Sequence, residues 1–233
     1  MKYPLILNIE TSSTVCSVSI AAGGESIAVM EENNGYTHAE SLHVFIRDIL
    51  KQCQIKSEQL DAVAVSTGPG SYTGLRIGMS AAKGLCFALN KQLIGVSTLL
   101  NLCEGAKQTT QINSADNLIP LIDARRMEVY TGIFTHDLKC KKEPVALIIS
   151  EETKEYFQHP TRSFLFGSGA EKCKSILQSH TQIEFIENIK PSSLNMSKLS
   201  FHFFSEKKFL DLSYCEPDYL KEFYDTRVFK KND

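Results

Sequence analysis

The sequence predicts an α/β protein made of two units of similar layout, each a mixed sheet covered by helices. Two observations carry this prediction. Each half opens on three consecutive strand-like runs and continues with helices and strands in alternation, and a polar stretch between Ala106 and Asn117 separates the halves. A third observation bounds the class: 233 residues can bury one large or two small cores, and 42% hydrophobic with 22% charged residues is ordinary for a soluble chain. No residue-level repeat accompanies the doubled order. The expected units are 1–106, joined by the C-terminal segment 217–233, and 107–216.

Leu5 to Ile9 is a short apolar run, expected as a buried strand. After the polar turn Glu10-Thr11-Ser12-Ser13-Thr14, Val15 to Ile20 alternates as a strand does, and Gly23-Gly24 turns the chain into a third strand over Ser26 to Met30. A helix from Thr37 to Cys53 follows. Thr37 and Glu40 have the spacing of a capping box, and Leu42, Phe45, Ile46, Ile49, Leu50 and Cys53 form one apolar stripe, with Val44 off it.

Ala62 to Val65 is the next strand. It runs into Ser66-Thr67-Gly68-Pro69-Gly70-Ser71, a turn demanding unusual backbone angles, and then into a helix from Tyr72 to Asn90. Gly74, Gly78 and Ala82 recur every four residues along it. Glycine within a helix costs about 1 kcal/mol against alanine, so such a ridge implies close approach of another backbone, from the same chain or a second one. Gln92 to Val96 gives a further strand, and Ser97 is placed to cap a helix holding Leu99, Leu100, Leu102 and Cys103.

In the second half, Asn117–Asp123, Glu128–Thr135 and Glu143–Ile149 are expected as strands. They are followed by a helix over Glu151–Phe157, a strand over Ser163–Phe166, a helix over Ala170–Gln178, a strand over Ile183–Ile186 and a helix around Ser193–Phe204. Glu216, preceding Pro217, should be extended, and a short terminal helix beyond it would pack back on the first half.

The chemistry-bearing residues exclude more than they assign. A net charge of −2 argues against unaided nucleic-acid binding through a broad basic surface. The seven cysteines are odd in number, scattered and never spaced C-x-x-C, which disfavours a disulfide framework or zinc site and points to the reducing cytosol. No run approaches a membrane span, and the N-terminus lacks a signal-peptide pattern. His38 and His43 stand five apart, about 140° around a helix, too divergent for a shared metal. No nucleophile–base pair or Walker motif is present. The hydroxyl turn Thr11–Thr14, with Glu10 beside it, could take a phosphate, as could the paired arginines of Asp123-Ala124-Arg125-Arg126; the arginines equally suit salt bridges with Glu128 or Asp123.

Four segments together carry a resemblance: Ile6-Leu7-Asn8-Ile9-Glu10-Thr11-Ser12; Thr67-Gly68-Pro69-Gly70-Ser71-Tyr72-Thr73-Gly74-Leu75-Arg76-Ile77-Gly78; Asp123-Ala124-Arg125-Arg126-Met127-Glu128-Val129-Tyr130; and Pro217-Asp218-Tyr219-Leu220. The chain resembles the TsaB (YeaZ) family, non-catalytic partners in making threonylcarbamoyladenosine at position 37 of tRNAs that read ANN codons. The resemblance is dense over residues 1–135 and looser to about 216. It implies the actin/Hsp70/sugar-kinase fold of two similar subdomains around a cleft, and a paralogous relation to the transferase TsaD.

It also implies a role and its residues. TsaD carries a metal-binding H-x-x-x-H on the helix that here holds His38, but position 42 is Leu42, so no metal and no catalytic residue is expected. The helices Thr37–Cys53 and Tyr72–Asn90 become a pairing surface of His38, Leu42, Val44, Phe45, Tyr72, Gly74, Leu75, Gly78, Ala81 and Ala82. That surface is expected to make a homodimer in isolation and a heterodimer with a TsaD-like subunit, joined by a TsaE-like ATPase, with tRNA reached only through the complex. A bulky residue at Gly78 should abolish pairing and leave the monomer folded. No cofactor is required, and Arg125 and Arg126 should block a triphosphate, but weak ATP or ADP binding at Thr11, Ser12, Gly68, Gly70, Gly167 and Gly169 remains open. Two rival readings are a kinase of the same fold, with Glu10 and the hydroxyl turn holding Mg-ATP, and a glycoprotease-like hydrolase.

Overall fold

The computed structural model describes residues 3–33, 35, 38–177 and 180–221. Strands β1 (Leu5–Glu10), β2 (Cys16–Ala22) and β3 (Glu25–Glu32) form an antiparallel meander; helix α1 (His38–Gln52), strand β4 (Ala62–Gly68), helix α2 (Tyr72–Leu89), strand β5 (Gln92–Ser97) and helix α3 (Thr98–Thr109) complete the first series. Strands β6 (Asn117–Asp123), β7 (Glu128–Thr135) and β8 (Cys140–Ile148) open the second. Strand β9 (Ser163–Phe166), helix α4 (Ala170–Leu177), strand β10 (Ile183–Ile186) and helix α5 (Ser193–Ser205) follow. The strands lie in the order β3-β2-β1-β4-β5 in one sheet and β8-β7-β6-β9-β10 in the other. In each, the meander pairs are antiparallel and the two later strands add parallel to the first. The duplication expected from element order is therefore also one of topology, and the α/β class of two similar mixed-sheet units is the expected one.

Three local expectations fail for identifiable reasons. The helix expected over Glu151–Phe157 shrinks to a 3-10 turn at Lys154–Phe157. There, the Thr153 hydroxyl accepts from Ser150 N (3.0 Å) and donates to Ile148 O (2.7 Å), so a side-chain turn outcompetes the helix start. Ser97 sits at the N-cap position of α3, but its hydroxyl makes no cap bond and reaches Gly68 O instead, at 3.5 Å. The third concerns the tail: Glu216 to Lys221 packs back on the first sheet without forming a helix, through Asp218 N bonded to Thr67 O (2.7 Å). The Thr37 end of the expected capping box and any helix beyond Lys221 lie outside the described residues.

Alternation along the strands sorts the core into layers. In the first sheet Leu7, Ile9, Val63, Val65 and Leu93 face α1 and α2, while Ile6, Ala62, Ala64, Ile94 and Val96 face Met196 and Leu199 of α5. Helix α5, counted from sequence with the second half, thus covers the first sheet. Reciprocally, Leu99, Leu102, Cys103 and Ala106 of α3 pack with Leu118, Ile122, Phe134, Phe164 and Phe166 of the second sheet. The segment after α5 continues along the first unit, Leu210 bridging Leu93.

Candidate functional site

Two places on this frame bring the sequence-predicted residues together: the turn after β1 and the helix pair α1–α2. The turn is built around Glu10, which is fully buried. Its Oε1 accepts from Ser12 N (2.7 Å) and Ser66 Oγ (2.9 Å), and its Oε2 from Asn101 Nδ2 (2.7 Å). Burial pushes the Glu10 carboxyl above its ordinary range, while the bonds from Ser12, Ser66 and Asn101 pull it back. Asn101 extends the network to the second series: Nδ2 also donates to Ser192 O (3.0 Å), and Oδ1 accepts from Ser192 N and Asn195 Nδ2. All three donors around Glu10 are structural. The carboxylate that a kinase reading would give to Mg-ATP is already enclosed by its own chain.

The glycine ridge of α2 belongs to the same turn. A Cβ at Gly70 would stand 2.4 Å from Ser12 O, one at Gly74 2.0 Å from Thr11 O, and one at Gly78 2.3 Å from Thr11 Oγ1. Thr11 Oγ1 donates to Gly74 O (2.8 Å), and the His38 Nε2 proton goes to Ser13 O (2.7 Å). The close partner implied by the small residues is thus the β1–β2 turn of the same chain. This corrects the expected pairing surface: His38, Leu42, Gly74, Leu75, Gly78 and Ala82 are buried inside the molecule. It also corrects the expectation for Gly78, where a bulky side chain would strike Thr11 before reaching any partner.

What remains exposed is the opposite face. Helices α1 and α2 leave a groove of about 760 Å³, lined from α1 by Ala39 and His43 and from α2 by Tyr72, Thr73, Arg76, Ile77, Ser80, Ala81, Gly84 and Leu85. Of the ten predicted residues, Tyr72 and Ala81 line it, Val44 is exposed and Phe45 is half-buried. Sequence reasoning missed the rest. The signal was available in Thr73, Ile77, Ser80 and Gly84, which also recur at helical spacing, but on the side away from the glycines. One end of the groove is fixed by an aromatic clasp: the Arg76 guanidinium lies 4.2 Å from the Tyr72 ring centre, its Nε donates to Tyr219 Oη (3.0 Å), and the two tyrosine rings are 5.1 Å apart.

The predicted nucleotide residues divide similarly. Ser12 and Gly167 line a cleft between the two units, whereas Thr11 is bonded to α2, Gly70 packs on Ser12 O, and Gly68, at φ +121°, packs against Asp218 O. Gly169 is closed off by Val129 and donates its N–H to Leu121 O. Arg125 and Arg126 do not line the cleft, so the expected block is not theirs. Nor do they make the anticipated bridges: Asp123 pairs with Lys172 (2.6 Å) and Glu128 with Lys221 (2.5 Å).

Comparison with known proteins places this geometry. Residues 29–209 match the family model of TsaD, tRNA N6-adenosine threonylcarbamoyltransferase. The tRNA threonylcarbamoyladenosine biosynthesis protein TsaB of Escherichia coli is 28% identical over 221 residues, covering 93% of this chain and 94% of that protein. A tRNA N6-adenosine threonylcarbamoyltransferase of Symbiobacterium thermophilum is 37% identical over 111 residues, 41% of this chain and 33% of that one. In structure, YeaZ from Pseudomonas aeruginosa superposes with a TM-score of 0.77 at 24% identity, over 93% of this chain and all of that one, which establishes the shared fold. The chain therefore belongs to the family of the threonylcarbamoyltransferase model and, within it, to the TsaB (YeaZ) family.

Proposed function

We propose that this chain acts in tRNA threonylcarbamoyladenosine biosynthesis as an accessory subunit, pairing through the α1–α2 groove with a TsaD-like transferase and activating it toward adenosine 37 of tRNAs reading ANN codons. The observation that carries the reading is the groove itself, an apolar depression between two helices with exposed or half-buried Ile77, Leu85 and Tyr72 in its walls. Both helices fall within the segment matched by the transferase family model, so a related chain with a like surface can meet this one about an approximate twofold axis, as two copies of this chain would. The same surface then serves a homodimer in isolation and the heterodimer in function, with a TsaE-like ATPase joining the pair and tRNA reached through the complex.

An accessory role agrees with the chemistry around Glu10 and Thr11, whose polar groups are spent on holding the turn and the two series together. No cofactor of its own is then needed, ATP or ADP binds weakly if at all, and the setting is the cytoplasm. Among the described residues no helix is long and apolar enough to cross a membrane.

The test is reconstitution of threonylcarbamoylation from a TsaD-like subunit, a TsaE-like ATPase and tRNA, with and without this chain. Product should depend on it. Ser80→Glu, which places a charge in the groove wall at an exposed position outside the core clusters, should keep the thermal midpoint of the wild type and lose co-elution with the transferase. Product formed equally well without the chain, or undiminished pairing of the Ser80 variant, overturns the assignment.

A further inference from the structure

The α1–α2 groove carries ionisable groups of one kind. Its lining holds one guanidinium, Arg76, one imidazole, His43, and no carboxylate. Arg76 is fixed in place by two aromatic residues. Its guanidinium lies 4.2 Å from the Tyr72 ring centre and 6.0 Å from that of Tyr219, and its Nε donates to Tyr219 Oη at 3.0 Å. Tyr219 is held in turn: its ring stands 5.1 Å from that of Tyr72, and the adjacent Asp218 N donates to Thr67 O at 2.7 Å. Arg76 is nevertheless exposed, and its Nη1 and Nη2 donate to no acceptor among the described residues. Glu216 acts on it electrostatically but forms no ion pair with it. An ordinary surface arginine samples many rotamers and loses that freedom on binding. Here the ordering is already made in the single chain, and both terminal nitrogens keep their donors.

We propose that Arg76 is the specificity-determining residue of the groove, set to receive the carboxylate of an acidic side chain on the transferase-type partner, with Tyr219 as its positioning residue. This rests on the pairing role assigned to the groove. A guanidinium takes a carboxylate through two parallel N–H···O bonds, and Nη1 and Nη2 are the donors left for them. In water such a pair contributes little. Once a partner covers the groove, water is excluded and a guanidinium without a counter-charge becomes costly. A second copy meeting groove to groove brings another Arg76 and His43 and no carboxylate from its lining. A related chain with an acidic residue at that place answers Arg76 and is preferred. The apolar walls, Ile77, Ala81 and Leu85, accept either partner, so the choice between heterodimer and homodimer falls to Arg76.

Titration calorimetry of the full chain against a TsaD-like subunit gives the heterodimer Kd, and sedimentation equilibrium of the chain alone gives the homodimer Kd. Arg76→Ala should keep the wild-type thermal midpoint, raise the heterodimer Kd at least about tenfold and leave the homodimer Kd unchanged or lower. Arg76→Lys, which keeps the charge without the paired donors, should recover part of the loss, and takes the place of Arg76→Ala if that variant does not fold. Tyr219→Phe keeps the ring and removes the Oη acceptor. It should weaken the heterodimer about threefold in the wild-type chain and no further in the Arg76→Ala chain, because it acts through Arg76. An unchanged heterodimer Kd for the Arg76 variant, an equal loss in both dimers, or additive effects of the Arg76 and Tyr219 substitutions overturns the proposal. Ser80→Glu separates this outcome from the groove assignment. If it loses the transferase while Arg76→Ala keeps it, the groove stands and the role of Arg76 falls; if both variants keep it, the groove assignment falls as well.

Discussion

A fully buried carboxylate persists only if protein donors replace its lost water, and Glu10 has three, from Ser12, Ser66 and Asn101. Burial nevertheless keeps the folded-state pKa above the ordinary value of 4.5. The folded chain therefore holds this proton to higher pH than the unfolded chain. The stabilisation from this group is complete below about pH 4.5 and is lost as pH rises through the folded value. Glu10→Gln cannot titrate and turns an amide donor toward groups that donate, a loss of about 1–3 kcal/mol. Its deficit should narrow as pH rises from 4 to 8 in urea unfolding; a widening deficit would show the opposite shift. The glycines of α2 offer a second contrast. Gly78→Leu should destabilise the monomer by about 1–3 kcal/mol or more by overpacking against Thr11. Gly84, with nothing within 4 Å of an added Cβ, should accept alanine with a gain of about 0.5–1 kcal/mol. Thermal midpoints of the two variants moving in the same direction would contradict this placement.

The helix starts separate what a residue type suggests from what its position allows. Ser71 caps α2 through Gly74 N (3.2 Å), and Ser71→Ala should cost about 1 kcal/mol. Ser97 stands at the same formal position of α3 without capping it, and Ser97→Ala should stay within about 0.5 kcal/mol in denaturant unfolding. Sequence told these two serines apart no better than it told the two faces of α2 apart. Small residues at i, i+4 and i+8 announce that a backbone comes close, and that inference holds. Whose backbone it is depends on where the β1–β2 turn lies, which is a tertiary fact absent from the spacing of Gly74 and Gly78. The strands were easier: Leu5–Ile9, Asn117–Asp123 and Ser163–Phe166 show apolar runs that only sheet interiors absorb, and each lies within a strand of the structure. The element lost, Glu151–Phe157, had helical composition but also Thr153, whose hydroxyl offered the backbone a shorter-range bond.

Across the whole molecule, the two series are bound by exchange of their last helices, α3 to the second sheet and α5 to the first, and by Asn101 holding Glu10, Ser192 and Asn195 at once. Neither sheet keeps a full apolar cover if the other leaves. Calorimetric unfolding should therefore give one transition with matching calorimetric and van't Hoff enthalpies, and two resolved transitions would show the series to be independent. The exchange was not legible in the sequence, because the stripe of α5 is equally apolar whichever sheet receives it. It also has a consequence for how the chain is made. The second sheet, residues 117–186, has its covering helix α3 already behind it when its last strand emerges from the ribosome. The first sheet, translated earliest, must wait for Met196, Leu199 and Leu210 at the far end, keeping Ala62, Ala64, Ile94 and Val96 bare through about a hundred further residues of synthesis. In this protein the half translated first is the half completed last.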